Sequence, residues 1–397
     1  MLSDHQKENV QACVEELSRE GVAFTAGSAG VGKTYSMRWV IENVFPSRNI
    51  IGTAPTWAAC RRASHLTGVP FVSNHGLLYT RPEEDRGGRL LFGRPTTANI
   101  PPGSLVLADE AGMLGGKVGG DLESVCDRVG ADLWAWGDLF QLGPVNDEPH
   151  FSRARVTFEL TEVRRQNPGP LLTMLTAMRQ RKCHGYFDMQ KYADGKEVIA
   201  AGRSRPAYIK RFVEAYMNEG QGQILCFKNA TRHNINRQVR KIKGFDARPL
   251  NIGERLLVLN NVDDCVNGDF VDVAGFRPVH PRRFFALQSA FGLDLELYDV
   301  TLSDGRTLTA SLLALQRGVN EVFTRLNSIV KRSGHKAKLL KKQLLSLTKV
   351  DYGYAGTVHK AQGSQWPWVY YVMETGNPQL NYTAASRPEK GLIVTTA

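Results

Sequence analysis

The segment GSAGVGKT, residues 27–34, constrains the fold of this 397-residue chain more than any other feature. It has the spacing G-x-x-x-x-G-K-T, and it stands between the strand-like run VAFTA and a stretch of helical character. Gly27, Gly30 and Gly32 allow the backbone to curl so that its amides face phosphate oxygens at a helix N-terminus. The segment therefore predicts a phosphate-binding loop, the P loop, at the edge of a parallel sheet.

Four side chains at this edge have the chemistry of nucleotide hydrolysis. Lys33 is expected to reach the β and γ phosphates, and Thr34 to offer its hydroxyl to Mg²⁺. The apolar run SLVLA then delivers Asp109 and Glu110 to the C-terminal edge of the sheet, where such folds bind ligands. Asp109 would hold Mg²⁺, and Glu110 would orient or deprotonate the attacking water. A solvent-facing acidic turn is the alternative, but the neighbouring P loop favours an NTPase.

Strand-like runs alternate with stretches long enough for crossover helices. The first set is VAFTA, NIIGTA, SLVLAD and DLWAWGD, between residues 22 and 138. A second set is QILCF, RLLVLN, WVYYVM and GLIVTT, between residues 223 and 396. This alternation is typical of α/β folds with parallel sheets, so we expect two α/β units.

Two segments interrupt the alternation. Residues 79–103 are rich in Arg, Gly and Pro and predict a small inserted hairpin. Residues 273–349 begin with short β-like pieces and continue as helical sequence from about residue 311. The basic run KRSGHKAKLLKK, residues 331–342, is either a solvated helix face or a surface that contacts a phosphate backbone.

Composition indicates the class of partner and the compartment. The formal net charge of +11 favours a polyanionic partner, with nucleic acid the leading class. The six cysteines are scattered without C-x-x-C pairs, which predicts reduced and mostly buried thiols. No apolar run approaches the roughly 20 residues that span a bilayer, and the N-terminus lacks a secretory signal. We therefore expect a cytoplasmic protein without a membrane segment.

Further polar residues suggest a response to the γ phosphate. Asp138 and Gln141 follow the fourth strand, and Gln141 could hydrogen-bond a γ phosphate. Arg164, Arg165 and Arg387 lie further along the chain, where arginines from a second unit could stabilise transferred negative charge. Each arginine alone is more often a surface residue, but their order and flanking residues favour the functional interpretation.

This series of motifs resembles the helicase motifs of superfamily 1, especially the RecD and phage Dda branch. LSDHQ resembles the adenine-reading Q motif, which makes Gln6 the base contact. TAPTWAACRRAS resembles motif Ia, SNHGLL motif Ib, GDLFQLGPV motif III, and GYAGTVHKAQGS motif V. LTEVRRQ resembles motif IV, with Arg165 on the γ phosphate, and YTAASR resembles motif VI, with Arg387 as the arginine finger. GERLLVLNN with VNGDFVDV resembles the lead-in to the SH3-like inserted domain of that branch.

The resemblance implies two RecA-like P-loop domains with ATP between them and single-stranded DNA across their tops. Domain 1A would be residues 1–150, including the 1B hairpin at 79–103. Domain 2A would comprise residues 151–272 and 350–397, and residues 273–349 would form an SH3-like and helical domain 2B.

The resemblance also implies the residues that contact DNA. Phe92, in the predicted hairpin, is the candidate wedge because an aromatic face can stack on the base pair being parted. Packing within the hairpin's own small core is the equal alternative for Phe92. The remaining candidates are Gln362 and Gly363 for the nucleotide, and Thr56, His75, Thr357, His359 and Lys360 for the strand, mainly its phosphates.

Two positions depart from the family pattern. Ser364 and Gln365 follow Gln-Gly in motif V, where the family often has a Glu that contacts the ribose. Ser73 and Asn74 precede His75 in place of the usual Thr-x pair. Neither departure affects the residues expected to hydrolyse ATP.

The expected function is that of an ATP- and Mg²⁺-dependent DNA helicase that moves 5′ to 3′ on single-stranded DNA and unwinds forked duplex. We expect a monomer in the cytoplasm, or in the host cytoplasm if the protein is viral. Single-strand-binding, replication or recombination proteins are candidate partners. Two alternatives share these motifs: a translocase that displaces bound proteins without unwinding, and a nucleotide-switched nucleic-acid-binding protein.

Overall fold

The chain divides into two compact units. The computed structural model describes residues 2–79, 83–84, 90–91, 93–163, 168–292 and 295–397. The first unit comprises Met1–Ala200, Gln362–Val369 and Thr375–Val394, and the second comprises Ala201–Ala361, Tyr370–Glu374 and Thr395–Ala397. The domain boundaries expected from the sequence remain a prediction beside this division.

Helices and strands alternate along much of the chain. The helices are α1 (Asp4–Glu20), α2 (Lys33–Asn43), α3 (Trp57–Thr67), α4 (Asn74–Leu78), α5 (Gly116–Val129), α6 (Pro170–Arg179), α7 (Tyr186–Gln190), α8 (Pro206–Phe212), α9 (Asn229–Ile242), α10 (Phe285–Phe291), α11 (Leu312–Arg317), α12 (Val319–Arg332), α13 (Ala337–Leu345) and α14 (Pro378–Ala385). The strands are β1 (Val22–Gly27), β2 (Ile50–Ala54), β3 (Phe71–Ser73), β4 (Glu83–Glu84), β5 (Leu90–Leu91), β6 (Leu105–Ala108), β7 (Asp132–Gly137), β8 (Phe158–Leu160), β9 (Val198–Arg203), β10 (Gly222–Cys226), β11 (Arg255–Val258), β12 (Phe270–Pro278), β13 (Leu297–Leu302), β14 (Thr307–Ser311), β15 (Val350–Tyr352), β16 (Ala355–Thr357), β17 (Trp366–Met373) and β18 (Pro388–Thr396).

A six-stranded parallel sheet forms the centre of the first unit. Its strand order is β3-β2-β6-β7-β1-β8, and each neighbouring pair is parallel. The four strands predicted between residues 22 and 138 all lie in this sheet. β8 also joins it, although β8 lies beyond residue 150, because Thr25 to Gly27 pair with Phe158 to Leu160.

Helices cover both faces of this sheet, so its strands are mostly apolar, and the central strand β6 is apolar throughout. All four residues of β6 are buried: Leu105 and Leu107 pack into the core beneath α1, α2 and α3, and Val106 and Ala108 into the core beneath α4 and α5. Successive strand side chains point to opposite faces, which explains why a strand buried on both sides shows a continuous apolar run. The carboxyl ends of these strands therefore carry the polar residues.

Two more sheets complete the chain's main architecture. The first has the order β16-β10-β17-β18-β9, with β10 and β16 parallel, and it contains three of the four strands predicted after residue 222. The second has the order β14-β13-β12-β11-β15, and its neighbouring strands are antiparallel.

The assignment of RLLVLN to the second α/β sheet was wrong. Its residues form β11, whose neighbours in the antiparallel sheet are β12 and β15. Leu256 and Val258 are buried in the antiparallel sheet, as they would be in a parallel one. An apolar run therefore predicts a strand but does not identify its partner strand. The antiparallel sheet thus begins before residue 273 and ends after residue 349.

Helices α11, α12 and α13 confirm the helical sequence predicted after residue 311. α12 buries Val319, Val322, Phe323, Leu326 and Val330, which recur at helical spacing along one face. In the basic run, Lys338, Lys341 and Lys342 are exposed. Both the solvated face and the phosphate-binding face expected from the sequence require this exposure.

Three other sequence expectations concern the hairpin, the thiols and the membrane. β4 and β5 pair antiparallel, as expected of a hairpin, whereas Phe92 lies outside the described residues. All six cysteines are buried, as predicted. Within the part of the chain that the structure describes, we find no helix with the length and apolarity to cross a membrane.

Candidate functional site

The P loop connects β1 to α2 through a turn that requires glycine. Gly30 and Gly32 have φ of 89° and 85°, in the left-handed region that favours glycine. A Cβ at Gly32 would also lie 2.7 Å from Nε2 of Gln6, and one at Gly27 would lie 2.8 Å from Val31 Cγ2. The loop is therefore both curled and closely packed.

Two cations converge on the carbonyls and hydroxyl of this loop. Lys33 Nζ donates to the carbonyl oxygens of Gly27 at 2.7 Å and Ser28 at 3.2 Å. Arg179, at the end of α6, donates to Ser28 Oγ and, at 2.9 Å, to Thr176 Oγ1. Sequence reasoning missed Arg179, because only the packing of α6 brings this side chain to the P loop.

Gln6 lies beneath the P loop with both ends of its amide bound. Its Oε1 accepts from the Ser3 amide at 3.1 Å within the capping box of α1. Its Nε2 donates to the Val31 carbonyl at 3.2 Å, and the residue is buried. The structure therefore places Gln6 as a tie between α1 and the P loop, and its predicted contact with adenine stays a prediction.

Asp109 is a buried carboxylate with one unsatisfied oxygen. Its Oδ1 accepts from the Glu110 amide at 2.9 Å, whereas Oδ2 has no hydrogen-bond partner. Burial, followed by the charge of Glu110, raises the pKa of Asp109 to about 6 against the opposing charges of Arg62 and Lys33. A buried carboxylate oxygen without a partner fits a hard cation such as Mg²⁺, and the Thr34 hydroxyl of the P loop is a second oxygen donor of the kind this ion prefers.

Glu110 is held in an unusual backbone conformation at the start of a 3-10 helix. Its φ is 52°, in the left-handed region, where a non-glycine residue often indicates a functional constraint. Nη2 of Arg62, which lies on α3, is 3.4 Å from Oε1 of Glu110. Arg62 was absent from the predicted set, although it lies within the TAPTWAACRRAS run.

Asp138 anchors a buried hydrogen-bond network at the end of β7. Its Oδ2 accepts from Gln141 Nε2 at 3.0 Å and from the Tyr382 hydroxyl at 3.2 Å. One residue beyond Gln141, the Leu142 amide donates to Thr383 Oγ1 at 2.8 Å. These bonds fix Gln141 relative to α14, which precedes Arg387.

Arg387 is buried, and all its bonds from the guanidinium are to neighbouring chain segments. Nε donates to the Thr383 carbonyl at 3.0 Å, Nη1 to the Ser364 carbonyl at 3.4 Å, and Nη2 to Ser386 Oγ at 3.0 Å. Burial lowers the pKa of Arg387, and the charge of Glu110 opposes that shift. The guanidinium thus has a fixed orientation in a poorly hydrated position.

One cavity of about 170 Å³ in the first unit brings most predicted nucleotide residues together. Its lining combines phosphate-binding, acidic and cationic groups from separate parts of the chain. The lining residues are Ala29, Gly30, Gly32, Lys33, Thr34, Tyr35, Arg62, Leu66, Glu110, Gln141, Gln365 and Arg387.

Several predicted nucleotide residues do not line the cavity, namely Gln6, Gly27, Asp109, Gln362 and Gly363. Gln362 donates through Nε2 to the Leu142 carbonyl at 3.1 Å, and neither it nor Gly363 lines the cavity. Gln365, one of the positions that departs from the family pattern, does line it. Arg165 lies outside the described residues.

The predicted strand-binding residues of the first unit lie at the starts of two helices. Thr56 is the N-cap of α3, and its Oγ1 accepts from the Ala59 amide at 3.2 Å. His75 is exposed in the first turn of α4, with its ring centroid 5.7 Å from that of Tyr79.

The predicted strand-binding residues of the second unit lie at the end of β16. Thr357 is the last residue of this strand, and His359 and Lys360 follow it. Lys360 Nζ donates to Asn267 Oδ1 at 2.7 Å. Burial and the charge of Arg232 lower the pKa of Lys360.

Comparison with protein families divides the chain into two matched regions. A model described as "AAA domain" matches residues 1–202, and one described as "UvrD-like helicase C-terminal domain" matches residues 352–395. ATP-dependent DNA helicase PIF1 of Xenopus laevis is 27% identical in an alignment 186 residues long, which covers 42% of this chain and 28% of the frog protein. The match therefore spans little more than a quarter of that relative's length.

Solved structures share the fold over nearly the whole chain. The Bacteroides Pif1 helicase in complex with ADP-AlF3 and single-stranded DNA has a TM-score of 0.60 and 18% identity, covering 99% of this chain and 92% of that one. The Pif1 helicase of Candida albicans has a TM-score of 0.53 and 17% identity, covering 100% of this chain and 94% of that one. The architecture of two RecA-like domains expected from the motifs is thus confirmed. The AAA domain model matches more than half of the chain, so the chain belongs to the AAA domain family, and its C-terminal region matches the UvrD-like helicase C-terminal domain.

Proposed function

We propose that the protein is an ATP-dependent DNA helicase that translocates 5′ to 3′ on single-stranded DNA and unwinds duplex DNA. The observation that carries this proposal is the cavity in which Lys33, Thr34, Glu110, Gln141 and Arg387 converge. The frog relative is named as an ATP-dependent DNA helicase, and the Bacteroides structure is described with ADP-AlF3 and single-stranded DNA. These relatives support the choice of ATP and of DNA.

The cavity's residues supply complementary parts of the hydrolysis of ATP. The P-loop amides and Lys33 bind the phosphates, and Glu110 orients the attacking water and accepts its proton. Gln141, which its hydrogen bond to Asp138 holds at the cavity, hydrogen-bonds the γ phosphate. Arg387 stabilises the charge that develops during transfer, and its burial strengthens this interaction because little water screens it.

Mg²⁺ would be held by Asp109 and Thr34. The unsatisfied Oδ2 of Asp109 and the hydroxyl of Thr34 are oxygen donors of the kind that this ion prefers. Bound there, Mg²⁺ would neutralise phosphate charge during hydrolysis. Burial disfavours the ionised form of Asp109 and so raises its pKa, and a bound cation would stabilise that ionised form.

The single strand would be bound through its phosphates at polar positions of both units. Thr56 and His75 belong to the first unit, and Thr357, His359 and Lys360 to the second. The net charge of +11 supports a polyanionic ligand. Phosphate contacts carry no sequence information, so binding should weaken with salt and show little sequence preference.

A pair of tailed duplexes tests the proposal. The same duplex is offered with a 5′ or a 3′ single-stranded tail, in the presence of ATP and Mg²⁺, and strand separation is followed by fluorescence. We expect unwinding of the 5′-tailed substrate alone. Blunt duplex and a non-hydrolysable ATP analogue serve as controls.

Each of the other possible outcomes assigns a different function to the protein. Unwinding from the 3′ tail alone would reverse the proposed direction. ATP hydrolysis that removes streptavidin from a biotinylated strand without opening either duplex would assign the translocase alternative. DNA binding that responds to ATP without steady-state hydrolysis would assign the nucleotide-switched alternative.

A further inference from the structure

Two aromatic rings lie together where two neighbouring parallel strands of the second unit end. Phe227 directly follows β10, and His359 follows β16 by two residues. Their ring centroids are 6.0 Å apart with planes inclined by 38°. The Val358 amide donates to the Cys226 carbonyl at 2.9 Å, which fixes the two strand ends relative to each other. This is the edge at which parallel sheets bind ligands.

The Phe227 ring is accessible although its backbone is firmly held. Phe227 is 38% exposed. Glu374 accepts from the amides of Phe227 and Lys228, both at 2.8 Å, and from Thr231 Oγ1 at 2.5 Å. Three hydrogen bonds to one carboxylate therefore orient the turn that enters α9. A backbone fixed in advance loses little conformational freedom when its side chain binds a ligand.

Basic residues flank these rings along the chain. Lys228 follows Phe227, and Lys360 follows His359, with its ammonium held by Asn267. Burial lowers the pKa of His359, so at neutral pH the imidazole is an uncharged aromatic ring. Aromatic rings beside basic side chains are typical of surfaces that bind single-stranded nucleic acid, because bases stack and phosphates pair with the cations.

We propose that Phe227 and His359 form a stacking platform for one base of a single-stranded nucleic acid, with Lys228 and Lys360 placed for the flanking phosphates. The inference rests on the strand binding of the proposed function and adds a base contact to it. It also changes the role of His359 from a phosphate contact to part of an aromatic surface. Stacking tolerates every base, which suits a protein that moves along arbitrary sequence.

The platform is tested by binding of single-stranded DNA that contains 2-aminopurine, using the full chain without nucleotide. Phe227→Ala should weaken binding about tenfold and reduce the stacking-dependent quenching of the probe. Phe276→Ala is the matched control, because Phe276 is 37% exposed, lies in the same unit, and has a ring 5.7 Å from Tyr298 on the antiparallel sheet. We expect Phe276→Ala to bind as the unaltered protein does.

Two further measurements separate stacking from other effects of the substitution. Phe227→Trp should preserve binding, whereas Phe227→Leu, which keeps an apolar side chain without a π face, should lose it. An abasic strand of the same length should bind the unaltered protein and Phe227→Ala equally. The comparison of the Trp and Leu variants decides the question even if the alanine variant folds poorly.

The outcomes that overturn the inference differ from those that overturn the proposed function. If the unaltered protein binds and unwinds DNA but Phe227→Ala and Phe276→Ala behave alike, the platform is wrong and the helicase assignment stands. Equal binding by the Leu and Trp variants would also overturn it. If the unaltered protein binds no single-stranded DNA, both the platform and the proposed function are wrong.

Discussion

The nucleotide cavity of the first unit and the aromatic edge of the second, formed by Phe227 and His359, differ most in their exposure to water. Glu110 and Arg387, which line the cavity, are 6% and 2% exposed, whereas Phe227 is 38% exposed. Charges in the cavity are held by neighbouring groups in a poorly hydrated site, where electrostatic interactions are strong. The aromatic edge offers surface that a ligand can reach and leave. Hydrolysis requires the first arrangement, and movement along a strand requires the second.

This difference predicts two scales of mutational effect. Removing a charge from the cavity leaves its former partners buried without compensation, so the loss should be large. A single contact at the exposed edge is one of several along a strand and is screened by salt, so its loss should be small. The following substitutions test that contrast, beginning with the largest expected effect.

Lys33→Ala should abolish DNA-stimulated ATP hydrolysis. The substitution removes the ammonium that the P loop holds through the carbonyls of Gly27 and Ser28. Steady-state phosphate release with and without single-stranded DNA measures the effect. Lys117→Ala, at an exposed position on α5, is the control and should retain normal turnover. Retained turnover in Lys33→Ala would refute the assignment of the nucleotide site.

Arg387→Lys should lower the rate of ATP hydrolysis by about 10³-fold, because an ammonium cannot reproduce the guanidinium's charge distribution at the transferring phosphate. Affinity for ATP should change much less. Single-turnover hydrolysis and equilibrium nucleotide binding separate the two quantities. Arg38→Lys, on the exposed side of α2, provides the control. A rate within tenfold of normal would exclude Arg387 as the arginine finger.

Asp109→Asn should stabilise the protein at pH 7 in the absence of nucleotide and Mg²⁺. Folding raises the pKa of Asp109 from 3.8 to about 6, so the folded protein binds this proton more tightly than the unfolded chain does. The resulting stabilisation is complete below pH 3.8 and is lost as the pH rises through about 6. At pH 7 the buried carboxylate therefore costs on the order of 3 kcal/mol, which asparagine removes.

Urea unfolding of both proteins at pH 4 and pH 7 measures this difference. The free energy of unfolding of Asp109→Asn should exceed that of the unaltered protein at pH 7 and approach it at pH 4. Mg²⁺ with ATP should stabilise the unaltered protein and have little effect on the variant. An equal gap at both pH values would show that Asp109 does not titrate in this range.

Lys360→Gln should weaken binding of single-stranded DNA only a few-fold at moderate salt. Losing one phosphate contact should reduce the slope of log K against log salt by about 0.7. Lys338→Gln, on the exposed face of α13, tests the basic run 331–342 in the same titration. An unchanged slope identifies that run as a solvated face, and a comparable reduction assigns it to the strand. A slope unaltered by Lys360→Gln would remove Lys360 from the binding surface.

The sequence was most informative where local backbone geometry determines chemistry. The P loop needs glycine at positive φ, as at Gly30 and Gly32, and its motif therefore identified the cavity that the structure contains. Strands buried on both faces, such as β6, were equally predictable because every residue is apolar. Local pattern and tertiary structure agree at these positions.

Residues that depend on long-range packing could not be predicted in this way. Arg179 reaches the P loop only through the packing of α6, and Arg62 reaches Glu110 only through that of α3. The apolar run at β11 predicted a strand but not its antiparallel neighbours. Phe227 occupies the end of a strand-like run, so its exposure is visible only once β10 has ended before it.

The burial of every cysteine offers a way to measure local unfolding within each unit. Burial raises the pKa of Cys13, Cys60, Cys126 and Cys226 to about 12, so the thiolate that reacts with alkylating reagents is scarce while the chain is folded. Alkylation therefore reports the transient local unfolding that exposes a buried thiol to the reagent. Cys13, Cys60, Cys126 and Cys183 belong to the first unit, and Cys226 and Cys265 to the second. Peptide mass spectrometry after timed alkylation would give each unit its own opening rate, with no label introduced into the chain.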